Sequence, residues 1–175
     1  MKGYFVKTDR LGLQPLDTAD AEFIFELVNT KGWLTFIGDR NVHNLEDAKN
    51  YLQRILQNPN VTYWVVKRLE DDAKIGIITY IKRDYLAHHD IGFAFLPEFS
   101  KSGYAYEASR AILNELSQGK EKPTVLATTK AENGSSIKLL EKLGLYYDHA
   151  IEVEGEPLLV FSSQAKGHQA TDTRK

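Results

Sequence analysis

Residues 90–116 read DIGFAFLPEFSKSGYAYEASRAILNEL, and this run decides the fold. Its first part has the two-residue period of a strand: Ile91, Phe93 and Phe95 share one face, and Gly92, Ala94 and Leu96 the other. The first face is bulky and aromatic. The second is nearly bare, which predicts close approach of another group to the backbone. Pro97 cannot donate a ladder hydrogen bond and should end the strand. A helical stripe then starts with Ala105, Ala108, Ile112 and Leu116. The join, Ser100-Lys101-Ser102-Gly103-Tyr104-Ala105, places small residues at a helix start. There the backbone N–H groups lack partners and the peptide dipoles present their positive end. Such a join suits a phosphate or pyrophosphate, or is an ordinary tight turn. Walker spacing is missing, and only one of the three glycines of a dinucleotide fingerprint is present.

A second run, TVLATTKAENGSSIKLLEKLGL at 124–145, supplies the next strand, a loop, and a short helix capped by Asn133. Leu139, Leu140 and Leu143 are its apolar positions, and Gly144 stands where helices commonly stop. Together the two runs resemble the GNAT superfamily of acetyl-CoA-dependent N-acetyltransferases. LPEFSKSGYAYEA resembles that superfamily's pyrophosphate loop, and NGSSIKLLEKLG its Asn-initiated helix. TDRLGLQPL and IGDRNVHNLEDA are similar to the RimJ/RimL-like branch, and the likeness spans roughly residues 8 to 161.

The bulk composition agrees. A length of 175 residues fits one domain. Eight Phe, nine Tyr and two Trp provide large contact area for a core. A net charge of −2 argues against a dedicated nucleic-acid binder. Cysteine is absent, so a thiolate nucleophile and a disulfide framework are excluded. No apolar run reaches membrane-spanning length and the first residues are not a signal peptide, so the expected location is cytoplasmic.

Residues 1–9 read as a loose lead-in, and Arg10 to Leu16 as an edge strand. A helix over Ile24, Leu27 and Val28 follows, then an irregular stretch from Thr30 to His43. A second helix carries Ala48, Tyr51, Leu52, Ile55 and Leu56. Two strands (61–67 and 74–81) precede the key strand in an antiparallel meander, and a hairpin around Gly155 ends the domain. The expected architecture is α/β, a GNAT-like single domain over residues 1–163. It has a mixed, mostly antiparallel sheet of about seven strands, with helices on both faces and a splayed parallel strand pair. Residues 164–175 are polar and read as a disordered tail.

The resemblance implies an N-acetyltransferase moving the acetyl group of acetyl-CoA to a primary amine, of a protein N-terminus or a small molecule. Attack is direct, in a ternary complex of a monomer or homodimer, with no metal, nucleic acid or membrane. A non-catalytic acyl-CoA-binding regulatory module is the other reading. The expected cofactor contacts are Phe95, Leu96, Lys101, Ser102, Gly103, Tyr104, Ala105, Asn133 and Ser136. Backbone N–H groups near Phe95 or Leu96 should hold the oxyanion. Lys101 either adds a charge-assisted phosphate contact or is a solvated lysine. Many members have a tyrosine acid where this chain has Leu140. Ser136 is then the nearest group to hydrogen-bond the thiol, unless it bonds its own backbone. Ser100 replaces the usual Gln or Arg. Asp90 is the first choice of general base and His43 the second. Trp33, Phe36 and Arg40 line the acceptor pocket or belong to the core.

Overall fold

The computed structural model describes residues 4–164. The polar tail from 165 onward lies outside the described residues. Eight strands form one sheet: β1 (Val6–Lys7), β2 (Leu11–Pro15), β3 (Val61–Arg68), β4 (Lys74–Ile81), β5 (Asp90–Phe95), β6 (Leu126–Thr129), β7 (Tyr146–Val153) and β8 (Glu156–Ser162). Their spatial order is β1-β2-β3-β4-β5-β6-β8-β7. Every neighbouring pair is antiparallel except β5 and β6, which the intervening crossover makes parallel. The helices are α1 (Ala21–Val28), α2 (Lys31–Phe36), α3 (Leu45–Gln57), α4 (Tyr104–Leu116) and α5 (Gly134–Lys142).

Two elements appear where the sequence reading has none. The lead-in holds β1, which pairs Val6 with Leu13 and makes the sheet eight strands rather than seven. Two residues are too short a run for a periodic signal. The stretch after Thr30 begins with α2, whose start Thr30 caps by accepting the Trp33 N–H.

The alternation of β5 divides the core. Ile91, with Phe93 and Phe95 beside it, packs with Ala108 and Ile112 of α4 and Leu140 of α5. Ala94 and Leu96 pack with α1, α2 and α3, among Ile24, Leu27, Trp33, Tyr51 and Leu52. Of the stripe expected on α3, only Leu56 stays exposed. Gly76 sets how closely β4 can lie against Phe95: a Cβ there would come within 2.5 Å of a Phe95 ring carbon and 2.6 Å of the Ala94 carbonyl. Gly76→Ala should therefore cost about 1–3 kcal/mol as an overpacking change. It should also displace the free edge of β5. Thermal melting and acetyl-CoA affinity, measured together, check both effects.

Candidate active site

The free edge of β5 is the first component. The Leu96 N–H donates to the Ile75 carbonyl at 2.9 Å, and the Leu96 carbonyl accepts the Phe99 N–H. Hydrogen bonding alternates along an antiparallel strand, so Ala94 and Gly92 also turn their peptide groups to β4, while Phe93 and Phe95 turn theirs away. On that outer side β6 meets β5 at one register position, Asp90 opposite Leu126, where the Leu126 N–H donates to the His89 carbonyl. Beyond it the two strands separate. Phe93 and Phe95 thus present two N–H and two C=O groups to a gap. Leu96, expected among the contacts, does not line the cleft, and its N–H and C=O are both committed and its side chain is 4% exposed.

The second component is the start of α4. Gly103 is the N-cap, in the left-handed region at φ 79°, and no side chain caps the helix. The first helical bond runs from the Glu107 N–H to the Gly103 carbonyl, so the amides of Tyr104, Ala105 and Tyr106 have no helical acceptor. Lys101 is also left-handed, at φ 61°. Gly103, Tyr104, Ala105 and Lys101 line the same cleft as Phe93 and Phe95, and so do Asn133 and Ser136 at the start of α5. Ser102 does not: its carbonyl accepts from Arg10 at 3.0 Å and its hydroxyl leans on the Ser100 carbonyl. Its contribution is to tie the loop down from behind. Ser100 spends its hydroxyl proton on the Pro97 carbonyl at 2.7 Å, so it is not free to donate to a ligand.

Arg10 is the group that holds this loop. Its Nε and Nη2 make a two-pronged pair with Glu107 Oε2, at 2.7 and 2.6 Å. Its Nη1 holds the Ser102 carbonyl, and its guanidinium lies 4.3 Å over the Tyr104 ring. Thr8 and the Arg10 N–H donate to the other Glu107 oxygen. Burial pushes the Glu107 carboxyl up, but these donors outweigh it and bring it below its ordinary value. Its contribution to stability is therefore present above the usual glutamate range and is lost as pH falls through the lowered folded value. Arg10→Ala should raise the KM for acetyl-CoA about tenfold and leave the KM for the amine unchanged, since it frees the loop and not the acceptor wall. Steady-state kinetics with each substrate varied in turn check this. Sequence reasoning placed Arg10 in a strand and missed its role, because the partner lies 97 residues away.

The remaining expected residues sort by face. Asp90 and Gly92 share the α1–α3 face with Tyr63 and Thr79, because Gly92 pairs with Thr79 and Thr79 with Tyr63. A Cβ at Gly92 would lie 2.5 Å from Thr79 Oγ1. The bare face is thus filled by Thr79, and the free backbone edge is what remains open to a ligand. Asp90 is 4% exposed, lines the cleft, and is held by Arg83 Nε at 3.2 and 3.0 Å. Burial raises its carboxyl above the ordinary aspartate value, with Arg83 opposing. His43 is exposed, outside the residues that line the cleft, and hydrogen-bonded through its backbone N–H to Asp47. Asn133 caps α5 by accepting the Ser136 N–H at 3.2 Å. The Ser136 hydroxyl has no hydrogen-bond partner among the described residues and does not turn back on its own helix. Leu140 is 1% exposed, so no proton donor stands there. Among the described residues no three His, Asp or Glu side chains cluster as metal ligands.

The cleft encloses about 1890 Å³. That exceeds the usual small-molecule pocket of roughly 300–1,000 Å³ and suits two ligands side by side. A sheet opened between two parallel strands, with an uncapped helix start at the mouth of the gap, suits a ligand that carries both amides and a phosphate. The Acetyltransferase (GNAT) domain family matches residues 10–146, and the chain belongs to that family of acetyltransferases. Its relatives include an uncharacterized N-acetyltransferase of Bacillus subtilis (strain 168), YnaD, 28% identical over 142 residues that cover 80% of this chain and 81% of that one. Among solved structures, RimL, a ribosomal alpha-N-protein acetyltransferase with bound coenzyme A, superposes with a TM-score of 0.78 at 12% identity, covering 91% of this chain and 96% of its own. A variant of a Vibrio cholerae spermidine N-acetyltransferase has a TM-score of 0.71 at 16% identity, covering 89% and 94%.

Proposed function

We propose that the protein transfers the acetyl group of acetyl-CoA to a primary amine by direct attack in a ternary complex. The observation that carries this reading is the gap between β5 and β6, edged by the Phe93 and Phe95 peptide groups and continuous with the open amides at Tyr104, Ala105 and Tyr106. A pantetheine arm carries amides that can pair with such an edge, and a diphosphate suits the helix start. Lys101 adds a charge-assisted contact at the mouth, and Asn133 frames the inner wall.

An amine is protonated at neutral pH, since a lysine-type ammonium has a pKa of about 10. Asp90, at the closed end of the gap, is the group placed to take that proton. A β5 amide that faces the gap, that of Phe93 or Phe95, stabilises the oxyanion. The departing thiolate receives a hydrogen bond from Ser136, whose hydroxyl is uncommitted.

The buried Leu140 favours a second reading, a module that binds acyl-CoA without turnover. Two measurements separate them. Acetyl-CoA at about 100 times its dissociation constant should stabilise the fold by roughly 2.7 kcal/mol in both cases. Thiol release against a panel of amines and peptides should occur only in the first. Stabilisation with silence across the panel supports the binding module, and no stabilisation overturns both.

A further inference from the structure

The acceptor wall of the cleft, on the α1–α3 face, carries hydrogen-bond donors that nothing among the described residues accepts. Tyr51 and Tyr63 are both buried, and their hydroxyls lie 3.4 Å apart. Two hydroxyls that share one hydrogen bond leave one O–H to donate elsewhere. Arg40 is half-buried, lines the same cleft, and forms no ion pair or hydrogen bond among the described residues. Its charge reaches Tyr63, where it opposes the effect of burial on the phenol. The turn that presents it is tightly built: Gly38 has φ 117°, Asn41 is left-handed at φ 54°, and the Asn41 N–H donates to Asp39 Oδ1 at 2.7 Å. The neighbouring carboxylate is thereby engaged in the turn.

The carboxylates of the cleft do not balance this wall. Asp90 is already paired with Arg83 through both oxygens. Asp84, Glu154 and Glu156 line the cleft but are exposed, and Glu156 faces Lys130 at 3.9 Å. A polycation on this wall would meet an unpaired guanidinium and a further donor. An anion would find donors there instead.

We propose that the acceptor amine also carries a carboxylate, held by the Arg40 guanidinium together with the spare hydroxyl of the Tyr51–Tyr63 pair. The inference rests on the acetyltransferase reading and adds the chemical class of its acceptor. A guanidinium suits this part because its fork can donate two parallel hydrogen bonds to one carboxylate. Free amino acids and peptides with an acidic residue near the N-terminus both offer the group.

The test uses the full chain, the L-amino acids with each one's carboxamide, tetrapeptides of acidic and neutral sequence, and spermidine. Thiol release is followed for each. At least one carboxylate-bearing amine should exceed its carboxamide or neutral counterpart tenfold or more in kcat/KM. Arg40→Gln should abolish that ratio while the KM for acetyl-CoA stays unchanged, which a general loss of folding would not do. The amino-acid and peptide arms separate the two sources of the carboxylate. A preference for carboxamides or spermidine, or a ratio that survives Arg40→Gln, overturns the inference and leaves the acetyltransferase reading standing. If thiol release fails on every amine, calorimetric titration of the CoA-loaded protein with the same carboxylates decides. Binding lost in Arg40→Gln upholds the carboxylate site, and no binding to the unaltered protein overturns it.

Discussion

Gly103→Glu should leave a folded protein that no longer binds acetyl-CoA. Gly103 sits at φ 79°, where a side chain is strained, and its Cβ would lie 3.4 Å from Arg10 Nη2. The backbone strain alone costs about 1–2 kcal/mol. This is tolerable for a domain that buries a hydrophobic cluster against each face of its sheet, because stabilities are typically about 5–15 kcal/mol. Ligand binding suffers far more. The new carboxylate stands at the amides of Tyr104 and Ala105, where a diphosphate is expected, and like charges at that distance repel in a partly desolvated site. The side chain can also swing back onto Arg10 and pull it from Glu107 and Ser102, which loosens the loop further. Melting should show the unaltered chain gaining roughly 2.7 kcal/mol at saturating acetyl-CoA and Gly103→Glu gaining none. Gly103→Ala separates the two causes, since it carries the strain without the charge and should keep most of the affinity. Undiminished protection in Gly103→Glu would remove the loop from the cofactor site.

The sequence was legible where chemistry is local. The alternation over Ile91–Leu96, the stop at Pro97 and the small residues before Tyr104 follow from period, ring geometry and side-chain size, and each appears in the structure at the expected place. What failed to show was set by contacts distant in the chain. The two peptide bonds of Leu96 are consumed by Ile75 and Phe99, a matter of register that no one-dimensional pattern displays. Gly92 looked like a ligand-facing gap, and only the pairing with Thr79 reveals what fills it. Arg10–Glu107 and Arg83–Asp90 differ instructively. The first joins strand β2 to helix α4 and leaves no trace in sequence. The second spans the β4–β5 connection, where Ile81 pairs with Asp90, and only that register brings Arg83 to the strand-end carboxylate.

That second pair leads to the other large effect. Asp90→Asn should lower kcat by about 10²–10⁴, the usual worth of a positioned general base, with the KM for acetyl-CoA unaltered. Stability should change by less than about 1 kcal/mol. Burial is the largest influence on Asp90 and lifts its carboxyl above the ordinary value of 3.8 despite Arg83. The ionised form is thus harder to hold in the fold than in the unfolded chain. Because the folded value lies above the unfolded one, the stability that Asp90 contributes is fully present below about pH 3.8 and is lost as pH rises through the raised value. Asn removes that pH dependence, and Arg83, with a third of its side chain exposed, can turn to water when its partner is neutral. The same reasoning fixes a kinetic signature. The acidic limb of kcat/KM should report Asp90 and vanish in Asp90→Asn. Arg83→Gln should move that limb to higher pH, since it takes away the positive charge that favours the carboxylate. A variant Asp90→Asn that melts lower but turns over normally would make the aspartate a structural partner of Arg83 and hand the proton to another group.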